Sequence, residues 1–245
     1  MASPKASAAE PPALYLRRWH AWQPGRDRPG DERIITLEKP AAACVPAMLR
    51  RRLTPMGRAV CEMLDALALT GREVPVLHAS RHGDGHRPLD MLDTLAEGEP
   101  LSPARFGLSV HNAVLGVYSI ALDNRVAMAA LAAAGEEFEA LLSEARGYLA
   151  EGSDAVALVL SDSPVPARYR IGDLAPERPS AVALEISLEP AGSLWRLIPS
   201  DAEGEPRAPV TPPRVTDWLT GGAPLVSAAP PTRWTLAPVP GRGPV

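Results

Sequence analysis

This chain of 245 residues is short of cysteine, of basic charge and of long apolar runs, and each shortage excludes a class of protein. Its two cysteines, Cys44 and Cys61, form no CxxC pair, so neither a zinc ribbon nor a disulfide scaffold is indicated and both read as free thiols. Lys and Arg number 25 against 29 Asp and Glu, a net charge of −4, which lacks the basic excess of a nucleic-acid-binding chain. Apolar runs such as Ala113 to Leu122 fall far below the ~20 residues needed to span a bilayer. The opening MASPKASAAEPPA has no apolar core of a secretory signal, so the expected compartment is the cytoplasm. The small motifs of dinucleotide, P-loop, serine-hydrolase and zincin chemistry are also absent. What the chain does have is 46% hydrophobic residues, enough apolar surface to rule out wholesale disorder.

Proline is plentiful at 28 residues, yet none lies between Ala104 and Ser163. Proline removes a backbone donor and interrupts helices and central strands, so uninterrupted regular structure and the core are expected in that block. Residues 1–12 read as a flexible tail, 13–165 as the core and 166–245 as a proline-rich extension that adds strands to the same domain. Strands are expected at Ala13 to Trp22, Ile34 to Leu37, Val74 to Ser80, Val126 to Leu131 and Asp154 to Leu160. Thr54 and Pro55 open a helix whose stripe is Met56, Val60, Met63, Leu64 and Leu67, with Cys61 beside it as a small core residue. Further helices are expected from Pro88 to Ala96, after Ser102 and Pro103, from His111 to Asp123 and from Glu136 to Glu151. The His111 helix is apolar nearly all round and should be buried on most sides. Alternation of strand and helix from Val74 onward predicts an α/β sheet with a parallel component and crossover helices. After Pro164, strands at Ala181 to Leu188 and Leu194 to Ile198, a short helix at Val215 to Leu219 and an edge strand at Thr232 to Leu236 read as antiparallel additions.

Two constellations invite a chemical reading. His78, His82 and His86 recur every four residues with Asp84 among them, a residue set that suits zinc, but the spacing aligns them only on a helix. His78 falls in a strand and the others in a glycine loop, so exposed loop histidines are the favoured reading and no metal is expected. Ser109 and His111, with Arg81 and His82 elsewhere, suggest a stand-alone acyl-thioester enzyme, whereas His111 more simply opens a helix. Glu136 and Glu137 sit at a helix N-terminus, where the helix dipole accounts for them.

Four segments together resemble the short β-ketoacyl-synthase-like proteins, similar to chain-length factors of aryl polyene or fatty-acid-like pathways. They are CVPAMLRRRLTPMGR from Cys44, PVLHASRHGDG from Pro75, LSPARFGLSVHNAVLGVYSIA from Leu101 and the long run from Ala132 to Asp162. The resemblance implies half of a thiolase-like fold, with an apolar face left to be covered. It places the nucleophilic cysteine of a ketosynthase at Gly135, or at Ala132 if the turn is shorter, and neither carries sulfur or hydroxyl. The segment after Pro164 holds no histidine, so the electrophilic pair of a ketosynthase is missing too. The implied function is a non-catalytic subunit without cofactor, paired as a heterodimer with a full-length β-ketoacyl synthase in polyene, polyketide or fatty-acid-type elongation, with an acyl carrier protein as a further partner. Phe106, Ser109, His111 and Asn112 are the residues expected to face that partner or its acyl tunnel, and Arg81 and His82 mark an adjacent loop. An acyl-chain or carrier-protein binding module is the other reading.

Overall fold

The structure is a computed structural model and describes residues 12–27, 30–169, 176–206 and 208–239. The expected N-terminal tail, up to residue 11, lies outside the described residues. In chain order the elements are β1 (Leu14–Trp22), β2 (Ile34–Ile35), α1 (Ala47–Arg50), α2 (Pro55–Ala66), β3 (Val76–Ala79), α3 (His86–Ala96), α4 (Pro103–Phe106), α5 (Ala113–Leu122), β4 (Met128–Leu131), α6 (Glu137–Ala150), β5 (Val156–Asp162), β6 (Ser180–Ser187), β7 (Trp195–Asp201), α7 (Pro212–Leu219), β8 (Leu225–Ala228) and β9 (Pro231–Pro238). Local chemistry sets several boundaries as expected. The Thr54 hydroxyl accepts from the Gly57 amide at 3.2 Å ahead of Pro55, and Gly152 takes φ +102° just past α6.

All strands join one mixed sheet in the order β4-β3-β5-β6-β1-β7-β9-β8, with β2 paired to β1. β4, β3 and β5 run parallel, and every other strand on the main path is antiparallel to its neighbours. Helices cover both faces, as a parallel sheet requires. Leu77 and Ala79 of β3, Leu158 and Leu160 of β5 and Val182, Leu184 and Ile186 of β6 pack with α6 and α7. Val76, Ala157, Val159, Ala181 and Ala183 face the other way, against α2 and α5. Along β6 the large residues thus meet one helical layer, and alanines let α2 approach on the other. β1 keeps its own apolar set on one face by a register shift between Leu16 and Arg18, which moves the inward parity from Leu14 and Leu16 to Trp19 and Ala21.

β6 is antiparallel to both its neighbours, as expected of the additions, and lies at the buried centre of the sheet between β5 and β1. Two expectations need correction. The strand at Thr232 to Leu236 is not an edge. It is the middle of β9, flanked by β7 and by the unexpected β8, and β8 forms that edge. α5 is buried only through Leu115, Val117 and Tyr118, while Ile120 is 72% exposed, so its uniform apolarity is not matched by burial on all sides.

The α6 face is closed by the chain itself, whereas α5, the helix expected to leave an apolar face for a second half, does present Ile120 outward. α6 packs on β3 and β5, and the strands beyond β1 curl over its outer side. Phe138 of α6 meets Trp218 of α7 and Trp234 of β9 in edge-to-face pairs at 6.4 Å, the Trp234 indole donates to the Glu139 carboxylate at 2.6 Å, and the Ala229 amide donates to Glu136 at 3.3 Å. Phe138, Leu141, Leu142, Ala145 and Leu149 are all buried as a result, each large side chain worth ~1.5–3 kcal/mol relative to exposure.

Candidate functional site

The carboxyl ends of β4, β3 and β5 lie side by side, the place where open parallel sheets bind ligands. Three arrangements sit there. The first is the turn from β4 into α6. Ala134 and Gly135 take φ +51° and +112°, and the amides of Ala133 and Gly135 both donate to Glu137 Oε1, at 3.2 and 3.0 Å. Glu137 is only 5% exposed, so its carboxylate is an internal plug for this turn rather than a solvated first-turn acid responding to the helix dipole. Gly135 is buried and Ala132 exposed, and a Cβ built on Gly135 would come 3.8 Å from the Arg81 guanidinium. Amides that in the right setting stabilise an oxyanion are here already taken, beside a residue with no side chain.

The second arrangement joins the loop after β3 to the end of β5. His82 Nδ1 lies 3.0 Å from Asp162 Oδ1, and burial raises the Asp162 carboxyl while the His82 hydrogen bond opposes that shift. The third lies on the α2 and α5 face. His78 is 4% exposed and its Nε2 is 2.7 Å from Ser161 Oγ, while its ring stands 6.2 Å from that of His111. Burial, reinforced by the His111 charge, pushes the His78 imidazole down to about 3. An imidazole so weakly basic cannot activate Ser161 near neutral pH.

The residues singled out in the sequence therefore scatter. His78, His82 and His86 do not converge: the first two pair with Ser161 and Asp162, the third opens α3 at the surface, and Asp84 binds Arg87 at 3.0 Å. Among the described residues no three His, Cys, Asp or Glu side chains gather as a metal would need. Ser109 and His111 are not joined either, since Ser109 Oγ donates to the Phe106 carbonyl at 2.8 Å. Phe106 is 59% exposed, and Asn112 is exposed ahead of α5 with no side-chain cap. Cys44 and Cys61 lie in the α2 layer, and burial pushes their thiols up to about 11 and about 12, which leaves little thiolate at neutral pH. Ser161, Asp162 and Glu137 were not legible as site residues. Their partners are distant in sequence or, for Glu137, depend on a turn geometry that only the two positive φ values reveal.

The profile of the β-ketoacyl synthase N-terminal domain matches residues 19–212, and the chain belongs to that family. Its fold is shared with solved ketosynthase and chain length factor structures. A solved structure of a ketosynthase in complex with its chain length factor, from Xenorhabdus doucetiae, superposes with a TM-score of 0.72 over 91% of this chain and 98% of the other, at 24% identity. The ishigamide ketosynthase/chain length factor gives a TM-score of 0.50 and 13% identity over 79% of this chain and 68% of that one. No curated protein matches.

Proposed function

We propose that this chain is the non-catalytic, chain-length-factor-like subunit of a heterodimer with an active ketosynthase, in polyene, polyketide or fatty-acid-type chain elongation. The observation that carries the reading is the contrast between the covered α6 face and the open edge at β4. The α6 face is sealed by the chain's own C-terminal strands, whereas the parallel end stops at β4, whose outer edge is unpaired among the described residues. An open parallel edge invites another strand. α5, which leads into β4, presents Ile120 outward, and Phe106 and Val110 are exposed just before it. The turn beyond β4 has Gly135 where the family resemblance calls for a nucleophile, with its amide committed to Glu137. A solved structure that this chain spans to 98% contains a ketosynthase with its chain length factor, and that pairing supports the same reading for this chain.

The edge can be tested without unfolding the chain. Ala127 and Leu131 turn their carbonyls to β3, accepting from Val76 and Ser80, so strand alternation points the peptide groups of Met128 and Ala130 to the free edge. Ala130→Pro removes an outward donor and spares the internal ladder. The wild-type chain is expected to co-purify as a 1:1 complex with a ketosynthase encoded beside it. Ala130→Pro and Ile120→Lys should each weaken that complex at least tenfold while the variant chains keep their own thermal transition. A wild-type chain that forms no complex and alters neither condensation rate nor product length overturns the proposal.

A further inference from the structure

One cavity of about 50 Å³ lies inside this chain on the α2 and α5 face, away from the turn at Gly135 and from the sealed side of α6. Its inner end is polar, formed by His78, His111 and Ser161, and its walls are apolar, formed by Leu53, Met56 and Val114. Two imidazole nitrogens there, His78 Nδ1 and His111 Nε2, are buried and have no hydrogen-bonding partner among the described residues. An unpaired buried nitrogen is costly, on the scale of ~1–3 kcal/mol, and His78 is 4% exposed, so solvent at the surface does not relieve it. The mouth is crossed by Arg87, which binds Asp84 at 3.0 Å and donates to the carbonyls of Leu108 and Arg52. Exposed Val110 stands at the rim. A pocket with apolar walls and a few convergent polar groups is the usual form of a small-molecule site.

We infer that this cavity binds the oxygen-bearing end of a slender, uncharged aliphatic chain, with the oxygen hydrogen-bonded between His78 and His111. Several observations select that chemistry. His78 already spends its Nε2 on Ser161, which leaves Nδ1 as its one free position, and His111 brings its buried, unpartnered Nε2. A hydroxyl both donates and accepts and suits either tautomer, and a carbonyl suits the donor forms. Because burial keeps His78 neutral down to about 3, a carboxylate entering the cavity gains no positive charge from that ring, and Arg87 at the mouth is engaged by Asp84. The volume accommodates about three to four water-sized groups, enough for the end of a chain but not for a ring system. This site is built within one chain and does not depend on the ketosynthase pairing, so its failure leaves that proposal standing, and the reverse.

The test uses the full chain, 1-hexanol, hexanal and hexanoate as probes, and the ring resonances of its five histidines. With 1-hexanol or hexanal the His78 and His111 rings should shift saturably while those of His20, His82 and His86 stay still. Hexanoate should bind at least tenfold more weakly. Val110→Trp, at the exposed rim, should block entry without lowering the thermal transition, and His78→Phe should weaken 1-hexanol binding about tenfold. The inference is overturned if neither ring responds, if hexanoate binds as well as hexanol, if Val110→Trp leaves binding unchanged, or if the cavity retains only water under saturating alcohol. Should His78→Phe fail to fold, the rim variant and the ring shifts of the wild-type chain decide the matter alone.

Discussion

Trp234 is the residue through which the chain's own C-terminal strands seal α6, and truncating it should unfasten that seal. Its ring is 4% exposed, packs edge-to-face on Phe138, and donates its indole N–H to Glu139 at 2.6 Å. Replacing a buried tryptophan by alanine typically costs ~3–5 kcal/mol through lost transfer energy and the cavity left behind. For a chain of this length ~4 kcal/mol corresponds to a fall of about 8–16 °C in the melting temperature. Trp234→Phe keeps an aromatic ring against Phe138 while removing the donor and the smaller ring of the indole, and the lost hydrogen bond alone costs ~1–3 kcal/mol. That second cost depends on pH. Burial raises the Glu139 carboxyl above its ordinary value, and the hydrogen bonds from Ser227 and Trp234 oppose the rise. An acid whose folded pKa is raised is destabilising above that pKa and neutral in both states below its unfolded value, so the destabilisation appears as pH rises through this window. Without the indole donor the raised value climbs further, and the penalty of Trp234→Phe should be larger at pH 7 than near pH 4. Urea denaturation of both variants at the two pH values reads all of this. A cost under ~1 kcal/mol for Trp234→Ala, or a Trp234→Phe penalty that does not change with pH, would refute the claim that these strands are the structural cover of α6.

Glu185 lies in the centre of β6 at 1% exposure, hydrogen-bonded to Arg72 with Arg17 and Arg18 at 3.9 and 3.8 Å, and Glu185→Ala should cost about 3 kcal/mol in chemical denaturation. The lower end of the range for a broken buried pair applies because the arginines keep partial access to water; a cost below ~1 kcal/mol would contradict this account. His78 should make the chain acid-sensitive. With its folded value lowered to about 3 from an ordinary 6.5, the unfolded chain takes up a proton that the folded chain refuses, so stability falls as pH drops below about 6.5, by up to ~1.4 kcal/mol per unit, until about pH 3. His78→Gln should flatten that slope in urea midpoints measured from pH 7.5 to 5, and an unchanged slope counts against the burial argument. Gly135→Cys should fold with a modest loss of ~1–3 kcal/mol from a side chain placed at φ +112°, and intact-mass analysis should find no acyl adduct after incubation with a short acyl thioester. Acylation of that cysteine would show that Glu137 does not close the turn.

The helices and parallel strands were legible because their signals are local. Thr54 with Pro55 marks the start of α2, and the apolar runs of β3 and β5 carry the length and composition of buried strands. What escaped depends on long-range placement. β6 carries apolar residues on both faces, but no local pattern says that a strand after a proline-rich connection will insert between β5 and β1 rather than add to an edge. β1 hides its facing behind the register shift after Leu16, since a strict period of two would have put Trp19 and Leu16 on opposite faces. At the site, the pairing of His78 with Ser161 was not legible, because it spans 83 residues and needs the parallel register of β3 and β5 to bring the two side chains together.

The same topology constrains where a partner can sit. If the apolar stripe of α6 were open, a second chain would most naturally cover it. Phe138, Trp218 and Trp234 instead close that side from within, so burial there offers a partner little further gain. Among the described residues the open parallel edge lies at β4, in the peptide groups of Met128 and Ala130, with β8 the open antiparallel edge, and exposed apolar surface lies in Phe106, Val110 and Ile120 on the segments that lead to β4. β4 is four residues long and alanine-rich, with side chains only partly buried, which permits close approach of another backbone but gives little independent stability. A strand of that kind gains most when another chain extends the sheet across it, so a partner of the kind proposed above would sit on the parallel end, beside the plugged turn rather than over α6.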